Sequence, residues 1–202
     1  MFVFIHISAL VVSILIVVYV VASGKCPMAS TSNIENGSAS CSEYRWEYEV
    51  FLSFGGDTRN NFTDHLYRAL AFDKGIITFR DKEGVYRGKP ISPELLNAIE
   101  KSKIAVVILS EKYASSTWCL EELENILECV DAGRMRVLPI FYHVDPSDVR
   151  HLKGTFADAF AKHGLAIFHH VHDESFKEKK VQRWRAALRR VADLSGHHLK
   201  DE

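Results

Sequence analysis

Two patterns of apolar residues alternate along the chain from Trp46 onward. Short continuous apolar runs, rich in β-branched residues, are typical of strands buried on both faces of a parallel sheet. Apolar residues three and four positions apart, found between those runs, are typical of helices that cover a sheet. The alternation predicts an α/β fold of right-handed βαβ units. The predicted strands are Tyr48–Phe54, Ile76–Phe79, Ile104–Ser110 and Arg136–Val144, and the predicted helices are Asn61–Phe72, Pro93–Glu100, about Thr117–Asp131, Thr155–His163 and Val181–Leu194.

The first 22 residues, Met1–Ala22, are almost wholly apolar and predict a single hydrophobic helix ahead of that fold. A helix of this length extends about 33 Å, which is enough to cross a bilayer. The alternative is a cleaved signal peptide that would end before Ser23. No Lys or Arg precedes the apolar run, whereas Lys25 and Arg45 follow it, which favours a membrane anchor with the C-terminal domain in the cytosol.

The composition of residues 23–202 indicates where the folded domain begins and which partners it lacks. Residues 23–45 are rich in Ser, Asn, Gly and Thr and predict a flexible linker, so that residues 46–202 form the folded domain. A net charge of -1 gives no reason to expect nucleic acid as a partner. The four cysteines lack a CxxC pair, and Cys119 and Cys129 are too far apart on one predicted helix to form a disulfide, which predicts a reduced, intracellular domain.

The most informative pair of residues is Trp118 and Glu122, one helical turn apart just after the third strand. Ser116 or Thr117 can cap that helix, whereas Glu121 is predicted to point to solvent. A carboxylate beside an aromatic ring could bind a nucleotide at the rim of a parallel sheet. The alternative is structural: Trp118 packs in the core and Glu122 is a solvated acid stabilised by the helix dipole.

Ligands of parallel sheets bind beyond the carboxyl ends of the strands, but the common motifs for that position are missing. The acidic pair of a phospho-accepting receiver, a GxGxxG fingerprint and a Ser/His/Asp triad are all absent from the sequence. His169, His170 and His172 lie in a polar stretch without further ligand spacing, so we expect surface histidines and no metal site. The loop from Arg80 to Ile91 contains Gly84 and Gly88, which suit a mobile flap over the site; the alternative is a simple surface connection.

Six motifs together resemble the TIR (Toll/interleukin-1 receptor) domain of plant immune receptors and of related TIR-only proteins, over Tyr48 to about Leu199. This resemblance implies a flavodoxin-like, five-stranded parallel sheet. It also implies self-association with other TIR proteins, which creates an enzyme that cleaves NAD between nicotinamide and ribose. The motifs are Tyr48–Phe54 with Asp57-Thr58-Arg59, Asn61–Leu66, Thr78–Asp81, Arg87–Leu95, Trp118–Leu123 and Val137–Arg150.

The resemblance also implies a role for individual residues. Glu122 corresponds to the catalytic glutamate, and Asp64 and His65 lie on a helix that often forms an assembly surface. NAD is the substrate, so no cofactor or metal is expected, and the partners are NAD, other TIR proteins and the membrane. The residues implied to contact NAD are Phe54, Gly55, Gly56, Asp57, Ser116 and Trp118.

Two departures from the family pattern support a second hypothesis. The first loop, Phe54–Asp57, is one residue shorter than usual and lacks an arginine and a glutamate, which predicts weaker phosphate binding. The sequence also stops at Glu202, where the family continues into one more helix, so we expect weaker self-association. The alternative to an NAD hydrolase in plant defence signalling is therefore a catalytically weak adaptor or decoy that binds other TIR proteins.

Overall fold

A computed structural model describes Ile14, Val18 and residues 45–81, 91–166 and 174–200. The strands are β1 Tyr48–Phe54, β2 Thr78–Arg80, β3 Ser102–Leu109, β4 Arg136–Tyr142 and β5 His197–Leu199. The helices are α1 Phe62–Arg68, α2 Pro93–Glu100, α3 Thr117–Asp131, α4 Pro146–His151, α5 Thr155–Ala166 and α6 Glu174–Ala192. A π-helical turn, Ala69–Asp73, continues α1, and a 3-10 turn, Tyr113–Ser115, precedes α3.

The five strands form one parallel sheet in the order β2-β1-β3-β4-β5. Leu52 in β1 is level with Arg80 in β2, and Phe54 is level with Ile108 in β3. The carboxyl ends of these strands therefore meet at one edge of the sheet, where ligands bind in open α/β folds. The predicted parallel α/β architecture is confirmed.

Alternate residues of the strands enter two separate apolar cores, because successive side chains of a strand point to opposite faces. Phe51 and Val107 lie in the core that α2 to α6 cover, whereas Leu52 and Val106 lie in the core on the α1 side. All four side chains are fully buried or nearly so. Burial on both faces is the reason why these strands are continuously apolar in sequence.

The predicted anchor, Met1–Ala22, lies outside the described residues except at two positions. Ile14 and Val18 are helical and fully buried in the core on the α1 side. Among the residues that the structure describes, no helix is both long and apolar enough to cross a bilayer. The predicted linker, residues 23–45, is outside the described part except for Arg45.

Capping residues explain where the helices begin. Ser92 accepts a hydrogen bond from the Leu95 backbone N–H at 3.2 Å, and Pro93 takes the first helical position, so α2 matches its predicted bounds. Asp145 caps α4 in the same way, through the Ser147 N–H at 2.7 Å. The pattern missed α4 because six residues are too few to establish a helical period.

Several predicted boundaries differ from the structure by two or more residues. β2 comprises only Thr78–Arg80 and begins two residues later than the apolar run predicts. It is an edge strand of the sheet. Helix α6 begins at Glu174 rather than Val181, because its first two turns are almost entirely polar and carry no apolar period.

Candidate functional site

A cavity of about 340 Å³, which includes the open space at its mouth, lies at the carboxyl ends of β1 and β2, against the first turns of α3. Its position is the one that the parallel topology predicts for a ligand. The lining residues are Leu52, Phe54, Gly56, Arg59, Asp81, Ser116, Trp118, Cys119 and Glu122.

Glu122 brings a carboxylate into this cavity from the second turn of α3. Its side chain is only 4% exposed, so the alternative of a solvated acid on the helix surface is wrong. Ser53 Oγ donates a hydrogen bond to Glu122 Oε2 at 2.7 Å. Burial raises the pKa of Glu122 to about 8, against the opposing effect of the Ser53 hydrogen bond; the Asp81 charge raises the pKa further.

Ser53 and Tyr113 form a buried hydrogen-bonded chain behind Glu122. Ser53 Oγ lies 2.9 Å from Tyr113 Oη, and Tyr113 Oη lies 3.2 Å from the backbone carbonyl oxygen of Cys119. Both side chains are fully buried, which makes these partners necessary for their hydroxyl groups. Sequence reasoning missed both residues; the only available signal was a serine inside the apolar strand Tyr48–Phe54.

Trp118 and Ser116 enter the cavity where α3 begins. Ser116 caps the helix, since its Oγ accepts a hydrogen bond from the Cys119 N–H at 3.3 Å. Trp118 Nε1 is buried and has no hydrogen-bond partner of normal geometry within the described residues. The indole nevertheless lies near enough to Glu122 to lower the pKa of that carboxyl. The structure therefore brings Trp118 and Glu122 together, as predicted from their spacing.

Arg59 supplies a cation to the cavity that the sequence analysis did not assign to the site. Its guanidinium lies 4.8 Å from the centre of the Phe54 ring. Arg59 Nη1 donates to the Asp81 backbone oxygen at 2.8 Å, which joins the loop after β1 to the end of β2. The missing arginine of the first loop therefore does not leave the cavity without positive charge.

Phe54 and Gly56 of the first loop line the cavity, whereas Gly55 and Asp57 do not. Ser110 Oγ donates to Asp57 Oδ1 at 2.9 Å. A Cβ atom at Gly55 would be 2.5 Å from Asp57 Oδ1 and 2.9 Å from Ser110 Oγ. A side chain at Gly55 would therefore displace the Asp57 carboxylate or the Ser110 hydroxyl from their hydrogen bond.

The predicted assembly residues, Asp64 and His65, lie on α1 and do not line the cavity. Asp64 binds Arg80 at 2.7 Å and Arg68 at 2.8 Å. The Arg80 hydrogen bond is the main cause of a lowered pKa of Asp64. His65 is exposed, so it remains available to a partner.

Glu121 was predicted to point to solvent, and this prediction is wrong. Its side chain is partly buried, and burial raises its pKa although Lys180 Nζ of α6 lies 3.8 Å from Glu121 Oε1. The neighbouring Glu124 pairs with Lys180 at 3.0 Å and with Arg183 at 2.7 Å. This side of α3 therefore packs on α6, away from the cavity.

The described ranges contain no cluster of three or more residues suited to hold a metal ion. The polar stretch with His169, His170 and His172 lies outside those ranges, as do residues 82–90 of the predicted flap.

Comparisons with known proteins agree with this architecture. The TIR domain family model matches residues 47–202. The disease resistance protein RPV1 of Vitis rotundifolia is 50% identical over 179 residues, which cover 87% of this chain and 12% of that protein. The TMV resistance protein N of Nicotiana glutinosa is 48% identical over 162 residues, which cover 79% of this chain and 13% of that protein.

A solved structure extends the comparison to three dimensions. The TIR domains of the activated Roq1 resistosome, which directly recognizes the pathogen effector XopQ, are 48% identical with a TM-score of 0.64. The superposition covers 75% of this chain and 87% of that chain. By contrast, the chain spans only about an eighth of the length of the two curated relatives above.

Proposed function

The chain belongs to the TIR domain family, and from that premise we propose that it hydrolyses NAD in plant defence signalling, with Glu122 as the catalytic residue. The observation that supports this proposal most directly is a buried carboxylate in a cavity beside Trp118, at the ligand-binding edge of a parallel sheet. A buried ionisable group with a strongly shifted pKa in a cleft is typical of functional sites.

The chemistry requires little more than a well-placed negative charge. The bond between ribose C1′ and the nicotinamide nitrogen breaks, and its electron pair leaves with neutral nicotinamide. The ribosyl group becomes a cation that resembles an oxocarbenium ion, which a nearby carboxylate stabilises. Water then adds its oxygen to C1′ and loses one proton to solvent, giving ADP-ribose and nicotinamide.

The pKa of Glu122 suits a substrate that carries positive charge. Without substrate, a pKa of about 8 keeps the Glu122 carboxyl mostly protonated at pH 7. The cationic nicotinamide ring favours the ionised form, because an opposite charge in a poorly solvated site lowers a carboxyl pKa. We therefore propose that substrate binding itself ionises Glu122.

The other lining residues can hold the rest of the nucleotide. Trp118 offers an aromatic face and a buried N–H donor, and Arg59 offers a guanidinium suited to a phosphate. We expect Arg59→Gln to raise the KM for NAD more than it lowers kcat. Equal KM values for Arg59→Gln and the wild type would remove Arg59 from substrate binding.

The test is nicotinamide release by the full chain, compared between Glu122→Gln and Glu121→Gln. Glutamine keeps the volume of either side chain, which matters for Glu122 because it is buried. We expect Glu122→Gln to abolish release. The control Glu121→Gln lies one residue away on the same helix, outside the cavity lining, and should retain most of the activity. Equal release by Glu122→Gln and the wild type would exclude Glu122 from the mechanism.

A second candidate function is an adaptor that binds other TIR domains. It is favoured by the position of His65, which is exposed on α1 and separate from the cavity. The TIR domains of the related Roq1 protein belong to an activated resistosome. The adaptor hypothesis predicts that His65→Ala weakens binding to another TIR domain, that Glu122→Gln does not, and that the wild type releases no nicotinamide.

A further inference from the structure

We infer that Ser53 and Tyr113 are positioning residues, which fix the orientation of the Glu122 carboxylate and stabilise its ionised form through one hydrogen-bonded chain. The catalytic part of this inference rests on the proposed NAD hydrolysis. The geometric part concerns only the ionisation of Glu122 and can be measured without substrate.

The position of Ser53 gives the first argument. It lies in β1 between Leu52 and Phe54, and it points to the face of the sheet that α3 covers. A hydroxyl group at a fully buried strand position costs free energy unless it is hydrogen-bonded. Both of its neighbours within hydrogen-bond distance are polar side chains, Glu122 at 2.7 Å and Tyr113 at 2.9 Å.

The number of protons shared by Glu122, Ser53 and Tyr113 gives the second argument. Ser53 has one hydroxyl proton, and an ionised Glu122 can only accept it, so Ser53 must then accept the proton of Tyr113. When Glu122 is protonated, the direction of these hydrogen bonds can reverse. The carboxyl group then donates to Ser53, Ser53 donates to Tyr113, and Tyr113 donates to the Cys119 carbonyl oxygen at 3.2 Å. In the ionised state of Glu122, Tyr113 donates to Ser53 and not to the Cys119 carbonyl oxygen, and Ser53 donates to the carboxylate.

Tyr113 is suited to remain a donor throughout. Burial raises the pKa of Tyr113 well above its ordinary value, and the nearby Cys119 and Glu122 raise it further. The hydroxyl group consequently keeps its proton over the pH range in which Glu122 titrates.

Other charged and titratable groups around Glu122 do not replace Ser53. Asp81 at the end of β2 raises the pKa of Glu122, whereas Arg59 from the first loop lowers it. The thiol of Cys119 on α3 is buried, and desolvation raises its pKa, so it stays neutral. Desolvation has the largest effect on the pKa of Glu122 and raises it. The Ser53 hydrogen bond has the second largest effect and lowers that pKa.

The experiment measures the titration of Glu122 directly, in the full chain without NAD. Carbon-13 NMR of labelled glutamate carboxyl groups follows the titration, and the signal missing from Glu122→Gln identifies the residue. Ser53→Ala should move the midpoint upward by about one pH unit, the effect expected for a lost hydrogen bond to a charged group. Tyr113→Phe should move it in the same direction by less.

A matched control uses another buried serine at a sheet position. Ser102 is fully buried at the start of β3 and donates to the Ala98 carbonyl oxygen at 2.6 Å, with no contact to Glu122. Ser102→Ala should leave the midpoint unchanged. A shift in Ser102→Ala equal to that in Ser53→Ala would show a general structural effect and overturn the inference.

The activity profile separates this inference from the proposed function. The acid limb of kcat/KM reports the free enzyme, so Ser53→Ala should move that limb upward and lower the rate at pH 7 by about tenfold. An unchanged Glu122 midpoint in both Ser53→Ala and Tyr113→Phe overturns the inference even if NAD is cleaved. Absence of nicotinamide release from the wild type overturns the proposed function, whereas the titration still decides the role of Ser53.

Discussion

Glu122 and Glu121 are neighbours in sequence, yet α3 gives their carboxyl groups different surroundings. One step along a helix rotates a side chain by about 100°, which places Glu122 in the cavity and Glu121 beside Lys180 of α6. Desolvation raises the pKa of both groups, but only for Glu122 is the shift large, to about 8. The difference follows from the depth of burial and from the partner that each carboxyl group finds.

The raised pKa of Glu122 predicts how the stability of the fold depends on pH. The folded state binds a proton at Glu122 up to about pH 8, whereas the unfolded chain releases it near the ordinary glutamate pKa of 4.5. The contribution of Glu122 protonation to the free energy of unfolding is therefore fully present below pH 4.5 and is lost as pH rises towards 8. At about 1.4 kcal/mol per unit, the loss amounts to several kcal/mol over that interval.

Urea unfolding of the full chain at a series of pH values measures this effect. Glu122→Gln cannot titrate, so we expect its free energy of unfolding to change less between pH 4.5 and 8 than that of the wild type. At pH 8 the variant should be the more stable of the two proteins. The same slope in both proteins would mean that Glu122 titrates near its ordinary pKa in the folded state.

At the scale of elements, α3 was predicted closely because its sequence carries several agreeing signals. Ser116 is a strong capping residue, and Leu120, Leu123, Ile126 and Leu127 repeat with helical spacing on the buried face. β5 carries no comparable signal, since its three residues, His197–Leu199, include two histidines. Only the family resemblance indicated a last strand there.

The site was predictable in part for the same reason. Trp118 and Glu122 share one helix, so their proximity follows from local periodicity. The contacts of Ser53 with Glu122 and of Arg59 with Phe54 depend on how α3 and the first loop pack against β1. Such contacts depend on tertiary packing, and neither the apolar pattern nor the motif spacing contains that information.

The packing of α6 on the sheet gives a prediction about stability. Trp184 is 1% exposed in the core beneath α6. We expect Trp184→Ala to lower the free energy of unfolding by about 3–5 kcal/mol, because it removes a large buried side chain and leaves a cavity. Urea unfolding followed by circular dichroism measures this loss.

The control for that prediction lies on the surface of the same helix. Arg183 is 56% exposed and binds Glu124 at 2.7 Å. Arg183→Ala should cost about 1 kcal/mol or less, as expected for an exposed ion pair. A similar loss in both variants would indicate that α6 is held by its ion pairs rather than by its apolar side.

At the scale of the whole molecule, we propose that the TIR domain faces the cytosol, where NAD and reducing conditions are available. The sequence has acceptor motifs for N-glycosylation at Asn36 and Asn61. Asn61 Oδ1 accepts the Phe62 N–H at 2.6 Å, so its side chain already caps α1. We expect no glycan on the chain from plant cells. A mass shift that a glycosidase removes would place the domain in the secretory lumen.

The burial of Ile14 and Val18 gives the final prediction, which concerns the apolar segment Met1–Ala22. Both side chains are fully buried in the core on the α1 side, together with strand residues such as Leu52 and Ile140. A side chain in that core cannot be surrounded by lipid at the same time. We therefore expect Ile14→Asp to lower the melting temperature of the full chain, because it places a charge in an apolar core.

Ile16→Asp is the matched control, since it makes the same change two positions away in the same apolar run. Burial of Ile14 predicts a loss of stability at position 14, and the variant at position 16 shows whether that loss is specific to the buried position or follows from any charge in the apolar run. A membrane anchor predicts a different result: either charge weakens retention in membranes after carbonate extraction, and neither changes the melting temperature of the domain in detergent. Melting curves and membrane extraction of the two variants, measured side by side, distinguish packing on the sheet from insertion in the bilayer.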